Sequence, residues 1–97
     1  MNRTCTLVCY DVSDPKRLRK VFQICRRFGD HLQYSVFRAE LSPRSRAELI
    51  KALDEAIDHR QDQVLLVDIG PAGPSAASSF AAVGRPYTHP ERHAVIL

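Results

Sequence analysis

The chain has no tryptophan and a single methionine among its 97 residues. With 44% apolar residues its core must be modest, so a lone subunit of this length is expected to be only marginally stable. No apolar run reaches the ~18 residues that a membrane span requires, and Met1 to Asp11 carries no signal-peptide core. Cys5, Cys9 and Cys25 are odd in number and sit in apolar patterns, which predicts reduced, buried thiols in a cytoplasmic protein. Cys5 and Cys9 on one strand face would be ~13 Å apart, too far to bridge.

Other absences bound the chemistry. There is no Gly-rich loop of the P-loop or dinucleotide-binding type. His31, His59, His89 and His93 make no convincing metal set, because Pro90 interrupts the one pair at i,i+4 spacing. Ser35 has no obvious His or Asp partner, so a nucleophilic triad is unsupported. Tyr34, Phe37, Phe80 and Tyr87 read as packing residues rather than base-stacking platforms.

The most informative absence is local. From Lys16 to Arg27 there is no acid among six basic residues, while the rest of the chain sets eight Lys and Arg against 11 acids. On a helical wheel Lys16, Arg17, Arg19, Lys20, Gln23, Arg26 and Arg27 lie opposite an apolar stripe of Leu18, Val21, Phe22, Cys25 and Phe28, with Ile24 as the one apolar residue on the charged face. A solvated face is one reading. Like charges without i,i+4 acidic partners repel, however, and bound phosphate relieves that repulsion, so a nucleic-acid backbone is the other. Arg44 and Arg46, at a helix start where the dipole disfavours cations, point the same way.

Thr4 to Val12 reads as a strand, Asp14-Pro15 as a helix start and Gly29 as its stop. Leu32 to Leu41 is rich in β-formers and fits one long strand or two bent near Tyr34-Ser35. A second helix runs from Ser42-Pro43 to near His59, and Gln63 to Ile69 is a strand whose four consecutive apolar residues predict burial on both sides. With two strands in the middle the order is βαββαβ, an α+β ferredoxin-like sandwich; the rival is a three-stranded α/β sandwich. Residues 1–70 form this core. Residues 71–97 are an extension of the same domain, with a short helix or tethered loop over 75–83 and an apolar end, Ala94 to Leu97, that would be buried as a strand on a partner's sheet edge or folded back on its own sheet.

Asp11 follows the parity of Cys5, Leu7 and Cys9 to the end of the first strand. It either caps the turn into the helix or binds a hard cation. One carboxylate is little for magnesium, but a twofold axis nearby would bring a second to the same phosphodiester.

"YDVSDPKRLRKV", then "FG", then "LQYSVF", resemble the Cas2 family of CRISPR-associated spacer-acquisition proteins, closely from Thr4 to Leu41 and more loosely through "DQVLLVDIG". The resemblance implies a ferredoxin-like homodimer with the terminal strand on the partner's sheet. It makes Asp11 the catalytic, magnesium-holding aspartate. Lys16, Arg17, Arg19, Lys20, Arg26, Arg27 and Arg38 become nucleic-acid ligands, and Ser35, Val36, Phe37, Val95 and Ile96 become interface residues. Arg38 departs from the family, in which an acid commonly follows the SVF, and would make the surface beside Asp11 more positive. Three functions are implied: a magnesium-dependent endonuclease acting on single-stranded RNA or on DNA, a non-catalytic scaffold that binds duplex protospacer DNA and bridges CRISPR integrase subunits, and a toxin-like messenger RNA nuclease of the same fold.

Overall fold

The structure is a computed structural model and describes residues 2–87. Its first strand, β1 (Thr4–Asp11), separates two environments with the period of two that a pleated strand imposes. Thr6, Val8 and Tyr10 are 0, 1 and 6% exposed on one face. Leu7, Cys9 and Asp11 point to the other and range from half-buried to exposed. The elements that follow are α1 (Pro15–Phe28), β2 (Gly29–Gln33), β3 (Val36–Leu41), α2 (Pro43–Ala56), β4 (Gln63–Pro71) and the short α3 (Pro74–Ala77). The middle segment is therefore two strands, turning at Tyr34-Ser35. The sheet runs β2-β3-β1-β4 with antiparallel neighbours throughout, which is the ferredoxin-like arrangement and excludes the three-stranded rival.

Local chemistry sets the element ends. The Asp14 carboxylate accepts the backbone N–H groups of Lys16 and Arg17 at 3.1 and 3.0 Å, and Pro15 takes the position where a missing N–H costs nothing. At α2, Ser42 Oγ accepts from the Ser45 N–H and the Ser42 N–H donates to Ser45 Oγ, a reciprocal cap. Gly29 does stop α1, but in an extended conformation (φ −158°) rather than a left-handed one. Glycine is required there because a Cβ would strike the Arg38 carbonyl and Ala39 of the neighbouring strand. The left-handed position is Tyr34 instead, at φ 33°, a costly conformation for a bulky residue.

Both helices cover the same sheet face. Val8, Tyr10, Phe37, Ala39 and Leu41 from the strands meet Val21, Ile24 and Cys25 from α1 and Leu49 and Leu53 from α2. Ile24, placed on the charged side by the helical wheel, is 4% exposed. The reason is that α1 packs against α2 as well as the sheet, so its buried arc is wider than one stripe. Two further expectations are corrected by the same geometry. Phe37 is not an interface residue but a core one, 1% exposed with its ring edge-on to Phe22 at 5.2 Å and stacked on Tyr10 at 6.2 Å. β4 is not buried on both sides: as an edge strand with helices on one face only, it leaves Leu65 and Val67 51 and 47% exposed.

Past β4, the helix over 75–83 contracts to α3, which ends at Ala77. Residues 80–87 then share a groove with Leu32, Gln33 and Val36 on the side of the sheet away from the helices, where the rings of Phe80 and Tyr87 stack at 5.0 Å. Val95 and Ile96, with the expected terminal strand, lie outside the described residues.

Candidate nucleic-acid interface and metal site

Asp11 is the last residue of β1; the pairing with β3 ends at Cys9, and Asp11 itself is held by β4 alone, in register with Gln63. Capping of α1 belongs to Asp14, which leaves the Asp11 side chain without that role. It is exposed, and among the described residues no hydrogen bond or ion pair engages its carboxylate. The end of β1, paired with β4, thus presents an uncommitted acid to solvent. Within one protomer it stands alone: among the described residues no three His, Cys, Asp or Glu side chains gather as a metal site.

The six cations of α1 separate into two groups. Lys16, Arg19, Lys20, Arg26 and Arg27 are exposed, and no acid among the described residues pairs with them. Arg26 and Arg27 lie in the last turn, where the helix dipole favours cations, and their guanidinium groups sit 5.9 and 5.8 Å from the rings of Phe22 and Phe28. The first turn of α1 holds no acid, so these five charges have no acidic partner within the helix.

Arg17 belongs to the second group. Its Nε donates to Asp62 Oδ2 at 2.7 Å and its Nη2 to Asp62 Oδ1 at 3.3 Å, a forked pairing. The Asp62 side chain is fully buried and also accepts the Asp58 N–H at 2.8 Å. The guanidinium and that N–H hold the Asp62 carboxyl below the usual carboxylate range, while Asp62 raises the Arg17 pKa in return. Arg17 therefore fastens the start of α1 to the loop entering β4, next to Gln63, and positions the Asp11 neighbourhood rather than offering a charge to a ligand.

Arg38 leaves the nucleic-acid set altogether. It is 1% exposed, with Nη2 at 2.8 Å from Glu40 and Nη1 at 3.9 Å from Asp30. It lies on the same sheet face as Asp11, but its register partner is Leu7, four residues away along β1 or ~13 Å at the rise of a strand. A buried cation survives there because two carboxylates share it. Arg44 and Arg46 have acidic neighbours at the surface, Glu48 at 3.5 Å and Asp68 at 3.6 Å, so unlike the α1 cations they are not unopposed. Ser35 and Val36 are half-buried at the turn into β3 and the strand's start.

Two of the three thiols, Cys5 and Cys25, are buried. Burial pushes Cys25 up to about 12 and raises Cys5 as well, so neither supplies a thiolate near neutrality. Sequence reasoning missed Asp62, which is 45 residues from Arg17 in the chain, and no local pattern announces the pairing. It also missed a groove beside the Tyr34 turn, because exposure of a single aromatic ring has no periodic signature.

These features define a small ferredoxin-like α+β protein that carries an uncommitted carboxylate at the end of a central strand and a cationic helix beyond it. The family model described as CRISPR associated protein Cas2 matches residues 4–73, and the chain belongs to that family. It is 35% identical over 91 residues to the CRISPR-associated endoribonuclease Cas2 1 of Rhodospirillum rubrum, covering 94% of this chain and 88% of that one. It is 32% identical over 91 residues to the CRISPR-associated endoribonuclease Cas2 of Geobacter sulfurreducens, covering 94 and 95%. The crystal structure of Streptococcus pyogenes Cas2 aligns with a TM-score of 0.71 at 28% identity, over 82% of this chain and 99% of that one. Among the described residues no helix is long and apolar enough to cross a membrane.

Proposed function

We propose that this chain acts as a homodimer that binds nucleic acid along α1 and hydrolyses phosphodiester bonds of single-stranded RNA or DNA, with magnesium held at Asp11. The observation that carries the reading is the exposed, unengaged carboxylate at a fixed strand end, followed in the chain by five cations on one helix that no acid among the described residues pairs with. The relatives named endoribonucleases support the reaction class.

A second copy supplies what one protomer lacks. Leu65 and Val67 oppose Cys9 and Leu7 across the sheet and give the uncovered face an apolar centre that a partner would bury. Asp11 points from that same face, so a twofold contact there brings its twin toward it. Magnesium ordinarily takes one or two carboxylates and completes its shell with water and substrate phosphate, and two Asp11 side chains fit that donor set. When bound, the ion would polarise the phosphodiester and lower the pKa of a coordinated water. The protein's own residues do the rest: the α1 cations hold the strand by its backbone, and Arg17 keeps the Asp62 loop against the helix so that the Asp11 end of β1 does not shift.

Asp11→Asn should abolish magnesium-dependent cleavage of a single-stranded RNA while leaving the circular dichroism spectrum and melting temperature unchanged. Cleavage at the wild-type rate by that variant would remove Asp11 from catalysis. The lone carboxylate of each protomer favours a second reading, a scaffold in spacer acquisition that binds DNA and docks integrase subunits without cutting. Under that reading Asp11→Asn still supports acquisition in cells, and charge reversal at Arg19, Lys20, Arg26 and Arg27 stops it.

A further inference from the structure

Beside the Asp11 end of β1, on the helix side of the sheet, lies a groove of about 540 Å³ lined by Tyr10, Leu18, Arg19, Phe22, Tyr34 and Ser35. Its volume falls within the ~300–1,000 Å³ of small-molecule sites. Two of its apolar walls are uncovered: Leu18 is 38% exposed, and Tyr34 is 94% exposed although its backbone is in the disfavoured left-handed region. Sequence alone makes Tyr34 a packing residue, and the structure instead leaves its ring in solvent.

The backbone of the turn is hydrogen-bonded on both sides. His31 Nε2–H donates to the Tyr34 carbonyl at 2.7 Å, and the Tyr10 N–H donates to the Ser35 carbonyl at 3.0 Å, so both sides of the turn are pinned. Phe22 is fixed edge-on by His31 and by Phe37, each at 5.2 Å. Arg19, an exposed cation, borders the same groove. A strained turn fastened by hydrogen bonds, a flat ring offered to solvent, an apolar floor and a guanidinium at the rim match one ligand chemistry: a planar apolar ring joined to an anion.

We infer that the groove seats one unstacked nucleobase of a single-stranded nucleic acid, with the base against Tyr34 and Leu18 and its phosphate at Arg19. A base paired within a duplex has its faces stacked and cannot enter without unpairing, so the groove discriminates for single strands and frayed ends. The inference rests on the nucleic-acid reading above and adds a subsite that reads the base face rather than the backbone.

The test uses the full chain and two probes, a single-stranded oligonucleotide carrying 2-aminopurine and a blunt duplex of the same sequence. Tyr34→Asn removes the ring while keeping a residue tolerant of positive φ, and the exposure of the ring leaves stability unchanged. The expected result is about a tenfold loss of single-strand affinity with loss of 2-aminopurine quenching, as the deletion of one base–aromatic stack implies. Duplex affinity and the salt dependence of both probes should be unaltered, and Tyr34→Phe should restore wild-type binding. Wild-type quenching and affinity in Tyr34→Asn, or an equal loss for duplex and single strand, would overturn the subsite while leaving backbone binding along α1 intact. Failure of the wild-type chain to bind either probe would overturn both.

Discussion

The two faces of the sheet obey the same alternation and meet opposite fates. The face of Val8, Tyr10, Phe37 and Ala39 is closed by two helices and is buried. The face of Leu7, Cys9 and Asp11 is only partly covered: residues 80–87 lie near the β2–β3 half, while Leu65 and Val67 of β4 remain open. The closed face stabilises the protomer. The open one carries the features on which the proposed dimer rests, an apolar centre and an acid that nothing among the described residues engages. Arg38 lies on this face too, buried beside Asp30 and Glu40.

The comparison can be broken first at the closed face. Leu49 is 0% exposed between α2 and the rest of the core, so Leu49→Ala should cost ~2–5 kcal/mol in urea unfolding. Val67→Thr on the open face should leave protomer stability within about 0.5 kcal/mol and instead weaken self-association, read as a concentration-dependent change in sedimentation. A comparable loss of protomer stability from both would mean that the two faces are not distinct.

The basic helix is the next contrast, between its free cations and its committed one. Replacing Arg19, Lys20, Arg26 and Arg27 by Gln should flatten the slope of log binding constant against log salt by ~0.7–0.9 for each phosphate no longer neutralised. Arg17→Gln should act on stability instead. Asp62 has a depressed pKa in the folded state, so its contribution is present above the ordinary carboxylate pKa and is lost as pH falls through the lower folded value. The acid limb of the melting-temperature profile should therefore be shallower in Arg17→Gln and in Asp62→Asn than in the wild type. The smallest effect belongs to the cap: Asp14→Ala should cost ~1 kcal/mol without altering nucleic-acid binding.

Much of this is legible in the chain itself. The β1 alternation, the Asp14-Pro15 start of α1, the Ser42-Pro43 start of α2 and the break at Tyr34-Ser35 are local signals, and local signals give the element order from which the ferredoxin-like topology follows. Other properties are set by neighbours. Periodicity assigns Phe37 and Val36 to opposite faces but does not say which face the helices take, so it cannot distinguish a core Phe37 from an interfacial one. It does not reveal that β4 is an edge, nor that α2 widens the buried arc of α1 to include Ile24. Charges are the least legible. Arg17, Arg38, Arg44 and Arg46 look like Arg19 in sequence, and only the positions of Asp62, Asp30, Glu40, Glu48 and Asp68 in space distinguish the engaged cations from the free ones.

The claim on which the site depends is that the open face meets its own copy and thereby doubles a single carboxylate. Sedimentation equilibrium of the wild-type chain, across the concentrations used for activity, measures this directly. The account predicts a species of twice the 10.9 kDa chain mass that dissociates more readily in Val67→Thr. A single 10.9 kDa species throughout would contradict it, because one Asp11 would then face solvent with no second acid to share a metal.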